Sequence, residues 1–307
     1  MSVNTAYLPA LIVALSTIFG WIAVRHSLAV RGTRHTFIFF AVAFAHATIH
    51  EATIRFLPEP DYTFGPHVFQ IAGFSPLAIV GWVISWYLAL HWAENVLTAS
   101  PRRPWRIVYG AALFGAMMAL TVEPAFNLLQ ILTWREDCRH LWVQTLGWFV
   151  QTLAFTTVYL VGFYGKAKAR AAVALLYLFF LVSEFRFFTE DPGTQFSNRL
   201  WFFAACAVLP FIFRVDYPRR AMATDTSAAQ RGLIAGGLEG CVVAIIFVCV
   251  VMDVFLARRP GASISVLPLL AAAGVSMWST HLRLSERSGR PLFNAFPSMR
   301  RVNVRSH

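Results

Sequence analysis

Stretches of about 20 mostly apolar residues recur along this 307-residue chain, separated by short segments that hold most of its charge. A helix needs roughly 20 such residues to cross about 30 Å of hydrocarbon at 1.5 Å per residue. Nine segments meet that length: 5–25, 36–56, 69–93, 105–126, 141–164, 169–189, 199–215, 232–257 and 262–281. Each is expected to be helical, because an open strand in lipid leaves backbone donors and acceptors unpaired. The fold class read from the sequence is therefore all-α, a polytopic helical membrane bundle of about nine transmembrane helices.

Charge gives these spans an orientation, since cytoplasmic loops carry the excess of Lys and Arg. With the N-terminus outside and the C-terminus inside, the cytoplasmic segments hold 19 of the 26 basic residues. The first 24 residues hold no Lys or Arg, so the stretch Tyr7 to Val24 reads as a retained helix and not as a signal peptide. A multi-pass protein of a cell membrane, of bacterial inner-membrane type, is the expected localisation, with membrane lipid as a partner. The layout is a seven-helix core over 1–216, a cytoplasmic linker over 217–231, two further helices over 232–284 and a basic tail over 285–307.

Composition excludes two other classes. At 57% hydrophobic and 13% charged, the chain lies outside the proportions of a soluble domain. Its net charge of +11 is dispersed in short clusters and not gathered on one face, so no nucleic-acid partner is expected. Cys138, Cys206, Cys241 and Cys249 lack metal-ligand spacing and read as free thiols.

An acid inside a bilayer costs roughly 3 kcal/mol on insertion scales, so each needs a partner or a role. Glu51, Glu123, Glu184, Glu239 and Asp253 fall inside expected spans, with Glu94 at a helix end. The second, fourth and sixth spans run in one direction, which places Glu51, Glu123 and Glu184 at a common depth, roughly 5 to 10 Å below the outer surface. Carboxyl groups gathered where water is scarce are costly to ionise together, and such a set offers a general acid. The alternative is local neutralisation, of Glu51 by Arg55 one turn on and of Glu184 by Arg186.

The run HATIHE puts His46 and His50 one turn apart, with Glu51 beside them. The other histidines are dispersed, so the readings left are a histidine that orients or reprotonates Glu51 and a hydrogen-bonded packing histidine; no metal and no cofactor is expected. Pro124, directly after Glu123, should bend or end its helix, with Asn127 one turn later. Trp82, Trp86, Trp134, Trp148 and Tyr177 cluster in the same segments. Belts at the membrane interface are their default use, and inward-facing rings would stabilise a carbocation.

The order HEATIRF, YTFGPHVF, GFSPLAIVGW, TVEPAFNLLQILTW and WVQTLGWF resembles the carotenoid-biosynthesis membrane family, which includes the carotenoid 1,2-hydratases and bisanhydrobacterioruberin hydratase. Its chemistry is related to that of integral-membrane terpene cyclases. By this resemblance Glu51 matches an early-helix Glu, Pro76 and Trp82 a helix-start pair, Glu123 and Pro124 an acid-Pro pair, and Gly147 and Trp148 a Gly-Trp pair. The resemblance covers residues 40–165. The chain departs from the family in having Glu123 where Asp is usual, in lacking an Asn before Gly147, and in its last two helices. What the resemblance implies is a lipophilic isoprenoid substrate whose C=C bond is protonated, with water or an internal alkene capturing the cation. Glu51, Glu123, Glu184, His50 and His46 are then the expected catalytic set, and Trp82, Trp86, Asn127, Trp134, Trp148 and Tyr177 the expected substrate-binding set. A proton-coupled transporter, using the same acids as relay sites, and a non-catalytic membrane subunit stay open as alternatives.

Overall fold

The computed structural model describes residues 8–55, 60–66, 68–97, 104–128, 131–186 and 192–216. The expected linker, the two C-terminal helices and the basic tail, with Glu239, Asp253, Cys241 and Cys249, lie outside the described residues. Six helices and two short strands follow in chain order: α1 Leu8–Arg55, β1 Tyr62–Phe64, α2 Pro76–Val96, α3 Pro104–Leu128, β2 Leu132–Trp134, α4 Leu141–Tyr164, α5 Ala167–Arg186 and α6 Pro192–Ile212. Among the described residues the protein is all-helical apart from two three-residue strands and short connections, and its long apolar helices mark a membrane protein.

Of the nine expected spans seven fall among the described residues, where four helices, within α1, α2, α3 and α4, are long and apolar enough to cross a membrane. The difference has three physical sources. α5 carries Lys168, Arg170, Glu184 and Arg186 near its ends, which leaves an apolar run only from 171 to 183. The apolar part of α6 is short, Ser197–Ile212. α1, finally, joins two expected spans into one 48-residue element.

α1 reverses direction at Gly32. Its φ of 75° and ψ of 170° break the helix in a region that only glycine occupies without strain. Ser27 and Thr36 are hydrogen-bonded at 2.9 Å across the break, whereas nine residues of straight helix would hold them about 13.5 Å apart. Leu15 and Ser16 likewise line one cavity with His50 and Glu51. Residues 8–31 and 33–55 are thus two arms of a helical hairpin. No atom lies within 4 Å of a Cβ added at Gly32, so a substitution there meets backbone strain alone. Gly32→Ala is expected to lower stability by about 1–3 kcal/mol, read as a lower melting temperature in detergent with unchanged helix content by circular dichroism.

Local signals set the other boundaries. Ser75 caps α2, its hydroxyl accepting from the Ala78 N–H at 3.4 Å, and Pro76 occupies the first turn, where no donor is lost. Pro124 does not stop α3, which runs one more turn to Leu128. The most extensive helix contacts are α3 with α4, α1 with α2 and α2 with α3. Phe39, Trp86, Tyr87, Phe155 and Tyr159 fill the centre and are almost wholly buried. Gly115 lets α3 approach the Thr152 side chain of α4 closely, leaving no room for a Cβ.

The strands lie in the connections after α1 and α3. They pair antiparallel, with Tyr62 opposite Trp134, Thr63 opposite Thr133 and Phe64 opposite Leu132. Their backbone groups are mutually satisfied outside the helices, which is compatible with a membrane fold. Arg135 ties the two connections together. Its N–H donates to the Asp61 carbonyl at 2.9 Å, and its guanidinium lies 3.6 Å from the Asp61 carboxylate and 2.6 Å from that of Asp137. The hydrogen bonds from Arg135 hold the exposed Asp137 carboxyl below the usual carboxylate range.

Candidate active site

The end of the first hairpin's second arm brings Glu51 to the level of the strands, and the end of α3 does the same for Glu123. Both are buried, at 3% and 1% exposure. Tyr62 Oη and Trp82 Nε1 both donate to Glu51 Oε1, at 2.8 and 3.0 Å. Trp148 Nε1 donates to Glu123 Oε1 at 2.7 Å, and Trp134 Nε1 donates to Glu123 Oε2 at 3.0 Å. Among the described residues no basic side chain forms an ion pair with either acid. The expected neutralisation of Glu51 by Arg55 is therefore replaced by aromatic donors, and the Arg55 guanidinium lies over Gly73 instead.

The two acids occupy matching positions in a repeated unit. In each unit a helix ends just after a glutamate, a strand residue eleven positions on donates to that glutamate, and the next helix supplies a tryptophan preceded by glycine. The first unit is Glu51, Tyr62 and Gly81–Trp82; the second is Glu123, Trp134 and Gly147–Trp148. Equivalent donors touch each other: the rings of Trp82 and Trp148 are 4.7 Å apart, and those of Tyr62 and Trp134 are 4.9 Å apart. No repeat is evident in the sequence, because the halves share few identities beyond these positions.

One cavity of about 390 Å³ serves both units. His50, Glu51, Tyr62, Trp82, Glu123, Trp134 and Trp148 line it, with Ile54, Val122, Phe126 and other apolar side chains between them. A Cβ added at Gly81 or Gly147 would touch nothing, so both glycines border open space. Burial pushes the Tyr62 phenol well above its usual range, which keeps it a hydrogen-bond donor.

Six of the expected site residues thus meet at the cavity: Glu51, Glu123, His50, Trp82, Trp134 and Trp148. His46, Trp86 and Tyr177 form a layer behind it. The Tyr177 hydroxyl and His46 Nδ1 are hydrogen-bonded at 2.8 Å, and the Trp86 ring stacks on Trp82 at 5.4 Å and on Phe155 at 4.5 Å. None of the three is among the residues lining the cavity: His46, expected in the catalytic set, and Trp86 and Tyr177, expected in the substrate-binding set, occupy this second layer. Asn127 is also corrected: it is exposed at the end of α3 and lines a separate open cleft with Arg139 and His140. Glu184 falls in the last turn of α5 at a position whose side chain is outside the described residues. Tyr62 is a site residue that sequence reasoning missed. Its eleven-residue spacing from Glu51, matched between Glu123 and Trp134, is the signal that was present.

A second polar cluster occupies the opposite end of the bundle. Arg31 and Glu94 form a buried ion pair at 2.7 Å. His26 and Tyr87 are hydrogen-bonded at 2.6 Å, the rings of His26 and His91 are 4.4 Å apart, and His35, Tyr164 and Tyr159 continue the network. Among the described residues no group of three or more His, Cys, Asp or Glu is placed to hold a metal ion. Comparison of the chain with protein-family models, with curated proteins and with solved structures gave no match.

Proposed function

We propose that this chain is a membrane-embedded enzyme that protonates a C=C bond of a lipophilic isoprenoid, with water or an internal alkene capturing the cation. The supporting observation is the pairing of two buried glutamates, both without a basic partner among the described residues, at one tryptophan-lined cavity of about 390 Å³. A soluble substrate would need polar anchoring groups, whereas apolar walls with a few convergent polar groups suit a hydrocarbon. Indole rings on the wall of a largely apolar cavity favour a cation through their ring quadrupoles. The resemblance to the carotenoid-biosynthesis membrane family supports the same reaction class. This reading includes nine helices, an outer N-terminus, a cytoplasmic C-terminus and a site near the outer leaflet of a bacterial-type inner membrane.

Expression in a host that makes lycopene and shorter polyprenoids tests it. The expected product carries the mass of one added water, or is an isomer of equal mass; an unchanged polyprenoid pool sinks the proposal. Tyr62→Phe, which removes one donor from Glu51 and keeps the ring, is expected to lower product yield about tenfold, as one lost hydrogen bond to a reacting group would. Product quantified per unit of folded protein checks this.

The repeated unit favours one second reading, since transporters place their sites between structural repeats. In that case vesicles would show proton-coupled flux with no change in any polyprenoid.

A further inference from the structure

The repeat makes the two carboxyls comparable, and their hydrogen bonds differ in kind. Glu51 receives both donors on a single oxygen, Oε1, and its Oε2 has no hydrogen-bond partner among the described residues. Glu123 receives one donor on each oxygen, so both oxygens act as acceptors. A protonated carboxyl turns one oxygen into an O–H donor that is only a weak acceptor, whereas a carboxylate accepts strongly on both oxygens. The donor types differ as well. Glu123 is held by two indole N–H groups, which donate and do not exchange protons on a catalytic timescale. Glu51 has a phenol, Tyr62, on the same oxygen and His50 as its neighbour in the cavity lining, both of which can pass a proton.

We infer that the two glutamates divide the work: Glu51 carries its proton on Oε2 and is the proton donor, and Glu123 is the resident anion that faces the cation. The assignment rests on the proposed reaction for its chemistry, but not for the two protonation states. In the step itself the Oε2–H bond of Glu51 breaks and the alkene π pair forms a new C–H bond. Positive charge appears on the neighbouring carbon, opposite the Glu123 carboxylate and the Trp82 and Trp148 ring faces. Glu51 is left as a carboxylate whose Oε1 is already held by Tyr62 and Trp82. If water captures the cation, a C–O bond forms and the surplus water proton returns to Glu51. If an internal alkene captures it, a C–C bond forms and loss of a proton from carbon restores Glu51. Both branches close the cycle without a further reactant. The other titratable groups lining the cavity are His50, Asp61, Tyr62 and Cys138.

Glutamine distinguishes the two positions without any substrate. At position 51 its carbonyl can accept from Tyr62 and Trp82 while its NH₂ takes the place of the Oε2–H group, so Glu51→Gln is expected to melt at an unchanged temperature. At position 123 the NH₂ must face an indole N–H, from Trp134 or Trp148, and an unpaired buried donor is costly. Glu123→Gln is expected to melt several degrees lower. Infrared difference spectra of the full chain in lipid at neutral pH then read the protonation states. Wild type minus Glu51→Gln should contain the carbonyl band of a protonated carboxylic acid, and wild type minus Glu123→Gln only the bands of an ionised carboxylate.

Should Glu123→Gln fail to fold, Tyr62→Phe should shift the protonated band and Trp148→Phe should leave it in place. Loss of the protonated band in Glu123→Gln, its persistence in Glu51→Gln, or its absence from the wild type would overturn the assignment. Spectra as expected, from a protein that alters no polyprenoid, would support the assignment and count against the proposed reaction alone.

Discussion

Glu51→Gln is expected to lower turnover by about 10²–10⁴-fold while the protein stays folded, because general acid catalysis contributes a factor of that size. Gln matches Glu in shape and can keep both hydrogen bonds to Oε1, but its amide does not release a proton. Glu123→Gln is expected to lose activity by a different route. The cation then forms without an opposing negative charge, in a cavity where low dielectric makes that charge count. Product formation in membranes, measured beside the melting temperature of each variant, checks both. Full activity in both variants would remove the glutamates from the mechanism.

The largest effect on stability is expected at the other end of the bundle. Arg31 lies one residue before the Gly32 reversal, pairs with Glu94 of α2 at 2.7 Å with both side chains less than 10% exposed, and sits over the rings of Phe39 and Tyr87. Removing one partner of such a pair strands a buried charge, so Glu94→Ala is expected to cost about 3–5 kcal/mol. Replacing both, as Arg31→Met with Glu94→Leu, should recover most of that loss, because an apolar pair of similar volume avoids the desolvation cost. Thermal unfolding of the two variants in detergent measures the difference. Equal destabilisation in the single and double variants would show that the pair does not clamp the hairpin to α2.

Helix placement was legible because a membrane span is a property of consecutive residues. The expected span 141–164 coincides with α4, and 105–126 lies within α3. The positions of Glu51 and Glu123 near the ends of their helices followed from the same counting. Contacts between distant residues were not legible. His26 and Tyr87 are 61 positions apart and His46 and Tyr177 are 131 apart, and nothing in local patterning records such distances. The histidines therefore read as dispersed, while the fold gathers His26, His35 and His91 in the polar cluster at one end of the bundle and sets His46 and His50 at or behind the cavity. Tyr62 and the strands escaped notice because a three-residue strand has no usable period, and its meaning lies in the partner it pairs with. Asn127 illustrates the opposite error. One turn beyond Glu123 on a straight helix it would follow the acid inward, but at the end of α3 it faces out.

The most direct measurement is to run the reaction in deuterated water and locate the label in the product. Protonation of a C=C bond by a carboxyl that exchanges with solvent places one deuterium on carbon for each turnover, at a position that does not wash out in ordinary water. That label is expected in the wild type, and it should disappear, with the product, in Glu51→Gln. A product formed at the full rate with no carbon-bound deuterium would contradict the proposed protonation.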